Sequence, residues 1–310
     1  MNERSDQQQA ISAAESALDD GDPGRAFELL LPYFQTGLMT RALWLVARIL
    51  TRGEQPAQSL DLFKQAFERD SSLPFVEVGF AGISHSFRDV PGSQSLLGLV
   101  REFYDDIYGL ADLALGEGDV FVDVGANVGV VSIPVASRFP DARVFAFEPA
   151  PETFDILQQN LRDNGIGNVT AINKAVNADG RDLELMVMHG DSGASNAFAS
   201  EAVVSRFQSE TLGELVRVEA TTLDEVFDEY GIDRCAMMKL DCEGAEHEIL
   251  RTTGMLERVD RIAMELHIDL SDLETMSGDE FRDAFLADVR GRVDHPPEIN
   301  VASVVGVRNE

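Results

Sequence analysis

Three lysines, two cysteines and a single tryptophan are what this chain of 310 residues has least of. Cys235 and Cys242 lie seven apart across a predicted strand and lack the partners a zinc site needs. A disulfide framework is excluded, and both read as buried thiols of a reducing compartment. Basic residues are also short, with 25 Lys and Arg facing 55 Asp and Glu for a formal net charge of −30. Binding a phosphate backbone needs clustered cations, so nucleic acid is excluded as a substrate class. Only Lys64, Lys174 and Lys239 are lysines. The balance suits a salt-adapted host, a GC-rich genome or an ordinary solvated acidic surface. Long hydrophobic runs are missing: Met1 to Ala10 is polar, and no stretch approaches the roughly 20 apolar residues of a membrane helix. A cytoplasmic protein without a membrane partner is expected.

What is present is organised around D-V-F-V-D-V-G-A-N-V-G, residues 119–129. Val120, Phe121, Val122 and Val124 form a short β-branched run closed by glycines, followed by a helical pattern over Val128 to Phe139. Gly125 and Gly129 permit backbone angles and close approaches that a Cβ would block, so a nucleotide-like ligand is expected over the strand end. A dinucleotide site would read G-x-G-x-x-G, whereas this stretch reads D-x-G-x-N-x-G. Asp123 would repel a pyrophosphate and suit a ligand carrying an ammonium, such as S-adenosylmethionine. A second strand, Arg143 to Phe147, ends in Glu148, 25 residues after Asp123, where a carboxylate can accept both ribose hydroxyls. The glycine turn alone fits an ordinary tight turn equally well. Together with Glu148 it points to an adenosine-type ligand.

Four ordered motifs, V-F-V-D-V-G-A-N-V-G (120–129), F-A-F-E-P (145–149), T-T-L-D-E-V (221–226) and M-K-L-D-C-E-G-A-E-H-E-I-L (238–250), resemble the FkbM family of S-adenosylmethionine-dependent methyltransferases. The resemblance covers roughly Gly116 to His267. It implies an α/β fold, a doubly wound Rossmann-like methyltransferase sheet, and transfer of a methyl group to a hydroxyl. The donor is expected against Asp123, Gly125, Ala126, Asn127, Gly129 and Glu148. Asn173, at the end of a third strand (Asn168 to Asn173), is a candidate for contact near the adenine. The acceptor class is a small molecule, a sugar or a natural product.

Residues 116–310 are assigned to this methyltransferase domain. Residues 1–70 read as four helices, Ile11 to Leu18, Gly24 to Phe34, Thr40 to Thr51 and Pro56 to Glu68, between turns rich in Gly and Pro. Setting Pro23 over Pro56 aligns Phe27 with Leu60, Leu30 with Phe63 and Phe34 with Phe67, a period of 33 that resembles tetratricopeptide-like hairpins. Two hairpins are too few for a free-standing solenoid. A plain helical cap, a homodimer contact and a protein-partner module are the open readings. Residues 71–115 form a connector and a covering helix, Leu96 to Leu115, with Phe103, Tyr104 or Tyr108 near the methionine tail or in the core.

In the domain's second half, strands Arg181 to Met188 and Glu214 to Ala220 flank a Gly/Ser-rich loop, 189–200, read as an acceptor lid or a solvated hairpin loop. A fourth strand, Ala236 to Leu240, delivers Asp241 to the rim of the sheet. A fifth, Arg261 to Leu266, brings out His267, a neutral imidazole near pH 7 suited to general-base work. Lys239 and Asp241 are rival bases. Magnesium held by Asp241 with Glu265 is the lesser alternative, and no metal site is assigned. Glu243 and Glu246 read as first-turn carboxylates favoured by the helix dipole. Thr222 with Glu225, Ser271 with Glu274 and Ser277 with Glu280 form capping patterns. Pro134 is expected to kink the first crossover helix, and the last strand, Asn300 to Arg308, to pair antiparallel at the sheet edge. The chain reads as an O-methyltransferase. The alternative is a catalytically silent scaffold acting through its N-terminal helices.

Overall fold

The computed structural model describes residues 3–34, 38–93, 95–188, 192, 213–269 and 276–307, and it divides into two compact units. The first comprises Met1–Arg88 with Leu96–Tyr104. Its helices are α1 (Glu3–Asp19), α2 (Pro23–Leu30), α3 (Thr40–Arg52) and α4 (Pro56–Arg69), followed by a hairpin of β1 (Val76–Phe80) and β2 (Ile83–Phe87) and by α5 (Ser95–Tyr104). Four helices stand where four were expected. The first begins earlier because its Glu, Gln and Ala residues are good helix formers. Asp22 caps α2 by accepting from Arg25 N, and Pro23 opens it, as its fixed φ suits a first turn. Helix α3 has one wide apolar face and a narrower side of Arg and Thr, and both are largely buried: Trp44 donates to the Phe75 carbonyl, while Arg48 and Arg52 pair with the buried Glu77.

Helix α5 ends well short of Leu115. Asp106 enters the left-handed region at φ 52°, and its carboxylate accepts from Leu110 N, an arrangement that closes a turn instead of extending a helix. Phe103 packs edge-on against Phe80, and Tyr104 accepts from Gly79 N. Both aromatics are therefore used inside the first unit. Tyr108 lies in the second.

The second unit comprises Asp89–Ser95 and Asp105–Glu310. It is built on β3 (Val120–Val124), α6 (Ser132–Arg138), β4 (Arg143–Phe147), α7 (Pro151–Asp163), β5 (Val169–Ile172), β6 (Ala175–Val176), β7 (Leu183–Met188), β8 (Gly213–Val218), β9 (Ala220–Thr221), α8 (Leu223–Glu229), β10 (Met237–Leu240), α9 (Glu246–Thr252), β11 (Arg261–Asp269), α10 (Gly278–Arg290) and β12 (Glu298–Val307). Six strands form a parallel sheet in the order β12-β11-β10-β3-β4-β5. Strands covered on both faces need continuous apolar runs, and β3 is buried throughout. The chain leaves β3 towards β5 and later returns to β3's other side at β10, so β3 and β10 flank the point where strand order reverses. Open α/β sheets bind ligands at the C-terminal strand ends beside that point.

Two expectations are corrected. Strand β12 runs parallel to β11, because α10 intervenes and carries the chain back to the starting edge of the sheet. Pro134 does not kink its helix: α6 starts at Ser132, so Pro134 falls in the first turn, where its missing N–H would have had no intrahelical partner. The capping boxes at Thr222 and Ser277 are formed. The pattern at Ser271, and the 189–200 loop apart from Ser192, lie outside the described residues. Among the described residues no helix is long and apolar enough to cross a membrane.

Candidate active site

Register brings the first pieces together. Lys239 on β10 pairs with Asp123 on β3, and side chains of paired residues in parallel strands share a face. Both are buried. Ser132 Oγ donates to Asp123 Oδ2, while Oδ1 takes no hydrogen bond and faces Lys239 Nζ at 3.3 Å. The same ammonium donates to the Gly125 carbonyl at 2.7 Å and lies 3.4 Å from Asp241 Oδ2, which also accepts from Tyr108 Oη at 3.0 Å. Burial works against the charge on Lys239, but Asp123 and Asp241 hold its ammonium above the ordinary lysine range. Lys239 is thus a fixed cation and is unsuited to the base role considered for it.

In the glycine loop the close approaches at Gly125 and Gly129 are to protein. At Gly125, φ 77°, an added Cβ would stand 1.7 Å from the Asp241 carbonyl oxygen, and at Gly129, φ 93°, it would meet Leu157 at 2.7 Å. The missing side chains make room for protein: Gly125 seats the loop after β10, and Gly129 seats α7. Asn127 on the same loop is itself left-handed at φ 49°, and its side chain donates to the Ser192 carbonyl and accepts from Val128 N. Gly125 and Ala126 N–H both donate to the Phe147 carbonyl, and Asn127 N–H to Glu148 Oε2 at 2.9 Å. Ala150 N–H donates to the other Glu148 oxygen. Burial pushes the Glu148 carboxyl up to about 7, against those two bonds and Lys239. Asn173 donates from Nδ2 to the Glu148 and Pro149 carbonyls, so its amide clamps the turn that carries Glu148.

Beyond β10, Asp241, Glu243, Glu246, Glu265 and His267 gather at the same rim. Helix α9 starts only at Glu246, so the dipole account of Glu243 does not apply: Glu243 sits in the loop with φ 57°, ahead of Gly244 at φ 113°. Glu246 is fully buried and turned inward, accepting from Cys242 N and Gly244 N and lying 3.1 Å from His267 Nδ1. His267 is buried instead of emerging into solvent, because β11 continues to Asp269 beside β12. Burial alone would lower its pKa, but the Glu246 hydrogen bond and charge, with Glu243 and Asp241, raise it to about 9. The neutral imidazole expected near pH 7 is therefore replaced by an imidazolium. Its Nε2 lies 3.5 Å from Glu243 and 3.9 Å from Glu265, whose other oxygen accepts from Ser303. Of the two cysteines, Cys235 is buried and Cys242 half-buried.

Asp241, Glu246 and His267 each offer an atom within 4.8 Å of one another, a spacing metal ions use. His267 Nδ1 is committed to Glu246, and Asp241 Oδ2 is held by Lys239 and Tyr108, so we assign the group no metal.

The family pattern described as the Methyltransferase FkbM domain matches residues 123–290, which include every residue of this site except Tyr108 and Ser303. The chain belongs to the FkbM methyltransferase family. S-adenosylmethionine dependence, expected from the sequence, is a property of that family. Among similar proteins, methyltransferase sdnD of Sordaria araneosa is 32% identical over 170 residues, covering 48% of this chain and 65% of that one. The 31-O-demethyl-FK506 methyltransferase FkbM of Streptomyces tacrolimicus is 26% identical over 194 residues, covering 54% and 74%. The hexuronic acid methyltransferase AglP of Haloferax volcanii is 25% identical over 181 residues, covering 58% and 64%. The matched region thus spans somewhat less than two thirds of sdnD and AglP.

Proposed function

We propose that this protein transfers the methyl group of S-adenosylmethionine to a hydroxyl oxygen of a small molecule, sugar or natural product. The observation that carries the reading is a charge imbalance: Asp123 and Asp241 share one lysine, leaving a surplus negative charge beside the glycine loop. A donor with a net positive charge, from its sulfonium and ammonium, fits that imbalance, and a pyrophosphate does not. Glu148 fits the ribose, because each of its oxygens keeps a lone pair beyond its backbone bond. When bound, S-adenosylmethionine supplies a methyl carbon made electrophilic by its positively charged sulfur. Asn127 and Ala126 border the adenosine side of the site, Lys239 keeps the donor loop and the acceptor loop in register, and Asp241 with His267 lines the acceptor side. The names of the FkbM and AglP relatives, which refer to a demethylated natural product and a sugar acid, support this acceptor class for the present chain.

Calorimetric titration with S-adenosylmethionine and S-adenosylhomocysteine tests the donor half. Micromolar binding is expected, and its loss in Glu148→Ala at unchanged fold. Deuteromethyl-labelled donor with 31-O-demethyl-FK506, glucuronic acid and methyl glucoside tests the acceptor half by mass spectrometry. An intact, folded protein that binds no donor overturns the reading.

A further inference from the structure

We propose that Glu243 takes the proton of the acceptor hydroxyl, with the Glu246–His267 pair as the positioning device that holds it; this deepens, and rests on, the hydroxyl reading above. The rim offers four carboxylates, and three are already committed. Asp241 Oδ2 is held by Lys239 and Tyr108. Glu246 is sealed from solvent, with two backbone N–H groups and His267 on its oxygens. Glu265 is held by Ser303. Glu243 remains: its side chain is 35% exposed, and the nearest cation to it among the described residues is His267 Nε2 at 3.5 Å, beyond normal hydrogen-bond length.

Its position is also the right one. A Cβ at Gly125 would collide with the Asp241 carbonyl, so the donor loop and the loop after β10 touch there, two residues before Glu243. The backbone at Glu243 is left-handed, unfavourable for a residue with a Cβ, and is kept so by Glu246, which ties down Cys242 N and Gly244 N on either side. Strain held in place by a buried carboxylate is the kind of pre-organisation found at reacting groups. Glu246 therefore does two things: it fixes the loop that carries Glu243, and it keeps His267 charged so that the imidazolium faces Glu243.

The step is a proton transfer. The acceptor's O–H bond breaks, its electron pair stays on the oxygen as that atom becomes the nucleophile, and the proton forms a new O–H bond on Glu243. Groups facing Glu243 are Asp241 on the same loop, with Lys239 and Tyr108 behind it, Glu246 from α9, and Glu265 and His267 from β11. Burial pushes Glu243 up to about 7, with Asp241, Glu246 and Glu265 adding to the rise and His267 opposing it. A base in this range works close to neutral pH.

The test uses the full chain with deuteromethyl donor and the three acceptors above. Wild type should show kcat/KM rising through about pH 7. Glu243→Gln should bind S-adenosylmethionine as wild type does, lose transfer by roughly 100-fold or more and lose the rising limb. Glu243→Asp should keep the limb at a reduced rate. His267→Gln removes the cation facing Glu243 and should move the limb to higher pH. A Glu243→Gln variant with wild-type transfer, or with a drop that leaves the limb intact, overturns the proposal while the methyltransferase reading stands. Wild type that binds donor yet methylates none of the hydroxyls overturns the hydroxyl reading and this proposal with it.

Discussion

Glu246 Oε1 lies 3.1 Å from His267 Nδ1, linking the first residue of α9 to a residue 21 positions on in β11. That contact decides the charge at the acceptor rim, because burial alone would keep the imidazole neutral. In Glu246→Gln the carboxylate's charge is gone and burial dominates, so the ring pKa should fall from about 9 by more than ~1 unit. With five histidines in the chain, ring nitrogen signals can be followed individually by NMR across pH 5 to 10. A His267 ring that titrates unchanged in the variant would mean that Glu246 does not set its charge.

Two histidines should give the two units opposite pH responses. His267, raised to about 9 from an unfolded value near 6.5, contributes stability that is fully present below 6.5 and is lost as pH rises through 9. Its full extent is of order 3 kcal/mol, at 1.36 kcal/mol per pKa unit. His85 behaves in the opposite way. It is buried on β2, and burial pushes its pKa down to about 4 against the opposing influence of the Val78 backbone. The unfolded chain then binds the proton more readily, so the first unit should lose stability as pH falls from 6.5 towards 4. Trp44, the only tryptophan, is buried in that unit, and its fluorescence isolates the acid branch. His85→Leu should flatten the branch; an unchanged slope would clear His85 of causing it.

The residues legible from sequence were those whose partners are close in sequence or fixed by strand register. Asp123 and Gly125 follow from one strand and its turn, Glu148 from the next strand end, and the Thr222 and Ser277 caps from residues three apart. His267 shows where that reading stops. Its protonation depends on Glu246, whose inward orientation is set by how α9 packs on β11. The glycines show a second limit. A sequence says that Gly125 needs a positive φ and close quarters, but not whether ligand or protein fills the space; here it is the Asp241 carbonyl. The antiparallel expectation for β12 failed for a third reason, because only α10 carrying the chain back across the sheet decides between a hairpin and a crossover.

A pair of glycines with nearly equal φ separates these effects. At Gly118, φ 80°, an added Cβ would have nothing within 4 Å, whereas at Gly125, φ 77°, it would meet a carbonyl oxygen at 1.7 Å. Gly118→Ala should cost only the left-handed penalty, about 1 kcal/mol in chemical denaturation. Gly125→Ala has to push the loop after β10 away, so a larger stability loss is expected together with loss of S-adenosylmethionine binding. Equal costs at the two sites would mean that the Gly125 contact yields easily.

Lys239 is the most demanding residue to replace. Its ammonium joins Asp123 on β3, the Gly125 carbonyl in the donor loop and Asp241 in the acceptor loop, and all of this is buried or nearly so. Removing one partner of a buried ion pair leaves the other charge without compensation, typically at a cost of about 3–5 kcal/mol. Lys239→Met should therefore destabilise the second unit strongly near pH 7. A base would behave differently: Lys239→Arg, which keeps the charge but cannot give up its proton at working pH, would abolish turnover. As a fixed cation Lys239 predicts the reverse, with Lys239→Arg recovering much of the stability and measurable donor binding. Denaturation curves at pH 7 for both variants, with donor titrations beside them, distinguish the two roles. An arginine variant that folds and binds donor as wild type does but has no turnover would restore Lys239 as a candidate base.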